Sequence, residues 1–514
     1  MLLSHARGRW PRRTRAALLV LASAWSVLAG WAALQAAGRV PDDMFITFRY
    51  AWNLAHGEGF VFNPGEHVFG LTNPGLGLLL GLLHGLTHIP VHHLGVAVFA
   101  AALCALALAL FREGARAGRP AQGVLAGTLV VTSSAVWKSA GAAAPSVLAL
   151  LSVSALVVTR RPVLAGVLAG LAPWFRPDAV LGVGALGALL WAGDRRFPLR
   201  WAAAAGGVLF AGAGAAWLWF GSPLPQTLLA KRAFVDALEL FRGPRMGFWE
   251  GTKALPRVHL GRLWLPVMAV GLMGQWPLFA RGGPGMRTVV LYAAGVAVAY
   301  PFLGVPFHTW YAVPVVVVLL YGMVAFAGET GRAAARLALG PRTSRRRLRL
   351  AAGACAVVLL APVAVSVTRA SAAWLARNGA VPRLDTYREA GLWIRDHSLP
   401  EHRIAYFEIG NLAYWSRRPV DDLLGLVTPR AVPYSRVADR EGALLLLQPD
   451  FYLARSRNGL RGTVAKPWFR RSYYPVARFE QIPGDHTLLV YRKRPDAELS
   501  PRPPRRLDWL AGGP

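Results

Sequence analysis

Cysteine is almost missing from this chain of 514 residues: Cys104 and Cys355 are the only two, each inside an apolar run. A disulfide framework or thiolate metal site is therefore excluded. Histidine is sparse as well, and His88, His92 and His93 lie close together without the carboxylate or helical spacing of a zinc motif. Charge is the third scarcity. Only 16% of residues are charged and 26 are acidic, against 54% hydrophobic residues and a mean hydropathy of +0.37. These values exclude a disordered chain and fit a soluble enzyme poorly.

What is abundant is apolar sequence. Runs able to cross a ~30 Å hydrocarbon layer are clearest at Ala16–Ala37, His93–Phe111, Trp201–Phe220, Tyr311–Phe326 and Ala351–Val367. Shorter ones at Ala121–Trp137, Pro145–Thr159, Pro162–Trp174, Ala179–Ala192, Leu263–Phe279 and Thr288–Leu303 bring the expectation to about eleven transmembrane helices. The first run follows Arg12, Arg13 and Arg15, but at 22 residues it exceeds a cleavable signal's core and reads as an uncleaved anchor.

The formal charge of +31 taken alone would suggest a nucleic-acid binder; its distribution argues otherwise. With the N-terminus inside, segments 1–15, 112–120, 160–161, 193–200, 280–288 and 329–349 carry 22 basic residues against three acids, a net of +19. Short basic loops stay cytoplasmic, so the excess reads as topology, with attraction to anionic membrane lipids following from it. The outer loops before the last span hold 11 basic and 8 acidic residues.

From Arg369 the composition changes to 24 basic and 15 acidic residues, with alternating helical and strand patterns. Thr386–His397 reads as a helix; Arg403–Phe407, Phe451–Leu453, Val476–Ile482 and His486–Arg492 read as strands. The expected architecture is an α-helical polytopic membrane protein (1–368) with a C-terminal extracytoplasmic α/β domain (369–500). Residues 501–514, rich in proline and arginine, read as a disordered tail. No internal repeat is evident.

The ionisable residues gather on the outer side, above all in the first outer loop. Asp42 and Asp43 stand together at the mouth of a span, followed by Arg49, Asn53, Asn63, Glu66 and Asn73 in a turn-rich stretch. Paired carboxylates there are costly unless they face water, a metal or a cation, and one of them is a candidate general base. The plain alternative is capping of the following helix. Gly57–Gly75 cannot be one helix and reads either as an ordinary loop or as a platform aiming Asn53, Asn63, Glu66 and Asn73 at a polar ligand. Leu76–Leu86, short for a span, reads as an interfacial or re-entrant helix.

The run Asp42–Pro74 resembles the first outer loop of C-type membrane glycosyltransferases, and most closely that of bacterial terminal arabinofuranosyltransferases and their relatives. Further pieces agree in order: Trp137 to Pro145, Arg176-Pro177-Asp178, Gly221-Ser222-Pro223-Leu224-Pro225-Gln226-Thr227 with Lys231, His308-Thr309-Trp310-Tyr311, Glu408-Ile409-Gly410, Tyr414, and Val420-Asp421-Asp422-Leu423-Leu424-Gly425-Leu426. Two positions depart from the pattern: Ala143 stands where the family usually has Glu, and Gln226 where it has Asn.

The resemblance implies an enzyme of the bacterial inner membrane. It would pass a sugar from a polyprenyl-phosphate donor to a hydroxyl of a cell-envelope glycan or glycolipid at the outer face. Asp42 or Asp43 would serve as base, the first slightly favoured, with Arg49, Arg176 and Lys231 on the donor phosphate and Asn53, Asn63, Glu66, Asn73, Gln226 and His308 on the substrates. Displacement without a covalent intermediate inverts the anomeric centre. Each cation has a plainer reading, Arg176 as a snorkelling end, Lys231 as an interfacial anchor, and His308 with Trp310 and Tyr311 as an aromatic belt; Asp178 reads equally as a partner of Arg176, and Asp421 and Asp422 chiefly as turn residues. No cofactor or metal is assigned, although adjacent Asp42 and Asp43 are the oxygen type that a divalent cation takes.

Two other classes compete. A transporter or lipid flippase would place polar residues at mid-span, where this chain has almost only Ala, Leu, Val and Gly. A catalytically inactive glycan-binding relative is the reading that Ala143 keeps open. A nucleic-acid partner is excluded by the dispersal of the basic residues among loops.

Overall fold

The computed structural model describes residues 12–242, 264–303, 308–340, 343–376, 382–455, 461–482 and 486–505. Helices fill the chain as far as Ala376: α1 (Arg12–Ala36), α2 (Asp42–Ala55), α3 (Pro74–Thr87), α4 (Val91–Arg116), α5 (Pro120–Thr132), α6 (Ala144–Val157), α7 (Pro162–Phe175), α8 (Ala179–Asp194), α9 (Leu199–Phe220), α10 (Gln226–Arg242), α11 (Trp264–Met273), α12 (Gln275–Arg281), α13 (Pro284–Ala299), α14 (Val313–Leu339) and α15 (Arg345–Ala376). Each of the eleven apolar runs falls on one helix or on two in succession. Proline opens α3, α5, α7 and α13, where the amide it lacks would have no partner anyway.

Among the described residues, five helical stretches are long and apolar enough to cross a membrane: Leu19–Arg39, Val91–Arg116, Leu199–Phe220, Pro284–Phe302 and Thr309–Leu339. Five further apolar helices have 10–17 residues, among them α3, the expected interfacial segment. The long α1 and α9 turn Leu19, Val27, Leu34, Phe210 and Leu218 outward, as a face in contact with lipid does. On the inward side, α7 lies so close to α9 that a Cβ on Gly166 or Gly170 would come within 2.3 or 2.5 Å of the Trp201 or Ala205 carbonyl.

Basic loops converge at one end of the bundle. Arg119, Arg281 and Arg332 all reach Glu329 Oε1, at 2.6, 2.5 and 2.8 Å, so three segments assigned to one side do lie together. α4 shows the separation of the two ends. His92, in its first turn, meets the Tyr414 hydroxyl at 3.1 Å, while Glu113 and Arg116 lie in the last turn of the same helix, which at 26 residues is about 39 Å long from end to end.

The C-terminal part is a five-stranded sheet of β1 (Ile404–Tyr406), β2 (Val420–Asp422), β3 (Phe451–Arg455), β4 (Tyr473–Ile482) and β5 (His486–Lys493), in the order β2-β1-β3-β5-β4. β1 pairs in parallel with β2 and β3, and β5 antiparallel with β3 and β4. Helices α16 (Pro382–Asp396), α17 (Gly410–Ser416) and α18 (Arg440–Leu447) pack around it. All four expected strands are present; β2 and α17 were not expected. The tail departs from expectation too. Residues 501–505 lie against the sheet domain, with Arg502 Nη1 and Nη2 on Asp439 at 2.6 and 2.7 Å. Residues 1–11 and 506–514 lie outside the described residues.

The loop between α2 and α3 and the sheet domain share one hydrophobic core. Ile46, Tyr50, Phe60, Phe62, Phe69 and Leu71 are buried in a single cluster with Tyr387, Ile394, Ile404, Tyr406, Leu412, Val420 and Phe451. A loop built from turns cannot bury its own apolar side chains, so it borrows the sheet's face to do so.

Candidate active site

Asp42 and Asp43 open α2 directly after Pro41, with no side-chain bond to their own helix end. The Asp42 carboxylate instead crosses to the sheet domain. Oδ2 accepts from the Gly410 amide at 3.0 Å, and Oδ1 accepts from the Asn411 amide and Nδ2 at 2.8 and 3.1 Å. It therefore sits at the start of α17, held by three N–H groups, with one lone pair of Oδ2 left over. Burial raises its pKa above the ordinary carboxylate value, and the adjacent Asp43 adds to the rise against the pull of those N–H groups.

A cavity of about 590 Å³ opens beside this pair. Asp42, Asp43 and Ile46 form one wall; Lys231 and Phe234 of α10, with His308 and Trp310, form another; Phe407, Glu408, Leu424, Leu426 and Arg440 of the sheet domain, with Arg39 at the end of the first span, close it. A small annex of about 50 Å³ continues past Asp43 and Lys231 to Thr47, Asn73 and Thr227. Among the described residues the Asp43 carboxylate has no hydrogen bond or ion pair, and it acts electrostatically on both Lys231 and His308. Lys231 Nζ donates to the Tyr311 hydroxyl at 2.9 Å. Burial would depress its pKa, but Tyr311 and Asp43 outweigh that and keep the ammonium charged. His308 is stacked on Trp310, 4.4 Å between centroids and 6° between planes. Burial lowers its pKa to about 4, so near neutral pH it is an uncharged hydrogen-bonding ring.

Of the residues singled out in the sequence, Asp42, Asp43, Lys231 and His308 meet in the cavity, and Asn73 reaches its annex, where it accepts from Thr47 Oγ1 at 2.7 Å. The others have different duties. Arg49 is buried and donates through Nε to the Phe62 carbonyl at 3.2 Å. Asn53 Nδ2 donates to the Val61 and Phe62 carbonyls at 2.8 and 2.9 Å. Asn63 pairs with Val420 as a strand residue would, Nδ2 to its carbonyl at 3.0 Å and Oδ1 from its amide at 2.9 Å. Glu66 takes Asn63 Nδ2 and Arg403. Gln226 donates its main-chain N–H to the Phe69 carbonyl at 2.8 Å and its side-chain Nε2 to the Gly425 carbonyl at 3.5 Å. These side chains satisfy the backbone groups that a buried turn-rich loop leaves unpaired, and so are not in position to touch a ligand in the cavity.

Arg176 is likewise not in the cavity. It is ion-paired with Asp178, donates to the Trp310 carbonyl and the Tyr300 hydroxyl at 3.1 Å each, and Asp178 accepts from Tyr292 and Tyr300 at 2.9 and 2.6 Å. This network ties the α7–α8 junction to α13 and fixes Trp310 from behind. Asp422 has the turn role: it accepts from the amides of Leu424 and Leu426, aiming both side chains into the cavity. Arg39 and Arg440 escaped the sequence reading. A cation at the outward end of a span, and one at a helix N-terminus where the dipole disfavours it, were the available signals.

Asp42 is occupied by N–H donors, and among the described residues no group of three His, Cys, Asp or Glu is close enough to hold an ion. A second cavity of about 660 Å³, at the basic end between Arg160, Asp194, Arg200 and Trp201, has no comparable convergence of groups.

Residues 377–491 match a family described as a domain of unknown function (DUF8728). No curated protein matches in sequence. The structure is similar to that of ArnT from Cupriavidus metallidurans bound to undecaprenyl phosphate, with a TM-score of 0.54 and 14% identity over 94% of this chain and 99% of that one. It is also similar to the archaeal oligosaccharyltransferase AglB from Archaeoglobus fulgidus in complex with an inhibitory peptide and a dolichol-phosphate, with a TM-score of 0.53 and 12% identity over 86% of this chain and 70% of that one. The chain shares the fold of ArnT and AglB. At 94% of this chain, the match to ArnT is long enough to take in both the helical bundle and the sheet domain.

Proposed function

We propose that the protein is an inverting glycosyltransferase that moves a pentosyl or hexosyl group from a polyprenyl-phosphate donor to a hydroxyl of a cell-envelope glycan, at the outer face of a bacterial inner membrane. The observation that carries this reading is the clamped, half-buried Asp42 sharing one cavity with Lys231, Arg39 and Arg440. The C-type fold, and neighbours that bind undecaprenyl phosphate or dolichol-phosphate, support a lipid-linked donor.

Chemically, the acceptor O–H gives its proton to the free lone pair of Asp42 Oδ2 as its oxygen bonds to the anomeric carbon. The bond from that carbon to the phosphate oxygen breaks, and its electron pair leaves with the polyprenyl phosphate. A base with a raised pKa, fixed in orientation, suits this proton transfer. Lys231, Arg39 and Arg440 offset the charge developing on the leaving phosphate. His308 and Trp310 present an aromatic, uncharged surface to the sugar, and Asp43 opposes Lys231 and keeps Asp42 basic.

The test is transfer by purified protein, with the donor identified by mass spectrometry of the co-purifying lipid. Asp42→Asn should lower turnover by at least ~100-fold, within the usual contribution of a general base. Asp43→Asn removes a like charge, so the pKa of Asp42 falls and the acidic limb of the rate profile moves to lower pH. Asp42→Asn retaining a tenth of the activity would remove Asp42 from the base role.

A further inference from the structure

Arg440 enters the cavity from an unpromising position, as the first residue of α18. The amides at a helix start repel a cation, so its placement must come from its neighbours. Both flanking residues are anchored. Asp439, whose side chain is fully buried, caps α18 by accepting from the Gly442 amide at 3.0 Å. Its carboxylate also takes the fork of Arg502, Nη1 and Nη2 at 2.6 and 2.7 Å, and the Arg505 amide at 3.1 Å. Glu441, on the other side, takes Arg505 Nη2 at 3.0 Å, Trp468 Nε1 at 2.8 Å and the Lys466 ammonium.

The chain around Arg502 is pinned as well. Its carbonyl accepts from the Tyr434 hydroxyl at 2.6 Å, and the Leu499 carbonyl accepts from Gln448 Nε2 at 2.9 Å. Gln448 and Tyr434 flank α18 in sequence, so residues 499–505 form a strap over both ends of the segment that carries Arg440. The same segment touches α10, the helix of Lys231, through an ion pair of Arg436 with Asp236 at 3.5 Å.

We infer that Arg502 is a positioning residue: by gripping Asp439 it fixes the start of α18 and so holds Arg440 where the anionic group of the donor binds. The inference rests on the reading of the cavity as a polyprenyl-phosphate site. A bidentate arginine–carboxylate contact is directional as well as attractive. Losing it frees α18 to shift at its first turn without emptying the core beneath the sheet.

The experiment is binding of undecaprenyl phosphate to the full-length protein in detergent, for wild type, R502Q, R440Q, the double variant and R502K. R502Q is expected to bind about tenfold more weakly, the loss of one charge-assisted contact, and R440Q at least as weakly. The double variant should be no weaker than R440Q, because Arg502 acts only through Arg440. R502K, which keeps the charge but not the fork, should recover part of the loss. If R440Q is weakened and R502Q is not, or if their effects multiply, the positioning role is overturned while the cavity reading stands. If R440Q binds like wild type, the cavity reading falls and takes the positioning role with it.

Discussion

The β1–β2 edge of the sheet domain, on which the loop between α2 and α3 rests, turns on Arg403, and replacing it with methionine should loosen that edge. Its guanidinium grips Asp421 through Nε at 2.9 Å and Nη2 at 2.6 Å, and reaches Glu66 at 2.8 Å. The Asp421 side chain is 0% exposed, whereas Arg403 and Glu66 are 30% and 33% exposed. Removing one partner of a fully buried pair costs ~3–5 kcal/mol. Water that reaches the exposed part of Arg403 trims this to about 2–3 kcal/mol. The Glu66 contact is a surface pair worth ~0.2–1 kcal/mol. Arg403→Met should therefore speed amide exchange of 404–406 and 420–423 by roughly 30- to 150-fold, at 1.4 kcal/mol per factor of ten. Glu66→Gln should speed it by less than about fivefold on the same scale. Equal acceleration in the two variants, or less than fivefold in Arg403→Met, would refute the assignment of the edge's stability to the buried pair.

Two further outcomes follow from the site's supports. Burial pushes Asp422 up to about 7. An acid whose folded pKa lies above its unfolded value stabilises the fold fully at low pH, so protection of the 422–428 turn against exchange should fall as pH rises from about 4 to about 7 and level off beyond; Asp422→Asn should flatten that dependence. Arg176→Gln leaves Asp178 buried without its cation and should cost about 3–5 kcal/mol, read as a lower melting temperature together with changed fluorescence of the adjacent Trp310.

The skeleton of the fold was legible in the sequence because it is written locally. Apolar runs such as Val91–Arg116 and strands such as Tyr473–Ile482 depend on residues next to one another. Three of the basic segments that the charge asymmetry grouped do lie together, Arg119, Arg281 and Arg332 meeting on Glu329. What sequence could not convey was pairing over long distances. Asn63 and Val420 are 357 positions apart, and an asparagine spent on a distant backbone looks the same in sequence as one aimed at a substrate. For that reason Asn53, Asn63 and Glu66 read as ligand contacts although their side chains pair within the loop and with the sheet domain, whereas Asp42, Asp43 and Lys231, singled out by the cost of their charges at a membrane edge, line the cavity. Arg440 was hidden because its neighbourhood is assembled by a strap that looked, from composition alone, like a frayed end.

The clamp on Asp42 sets an order of events during biosynthesis. Its carboxylate is held by amides 368 and 369 positions further along the chain, so at ~5–20 residues/s this residue waits ~20–70 s for its partners to be made. Over that interval the cavity has no roof, and Asp42 is an ordinary solvated acid. The cavity is thus the last part of the molecule to be completed, and a chain stalled before residue 410 would hold Asp42 without the amides that clamp it.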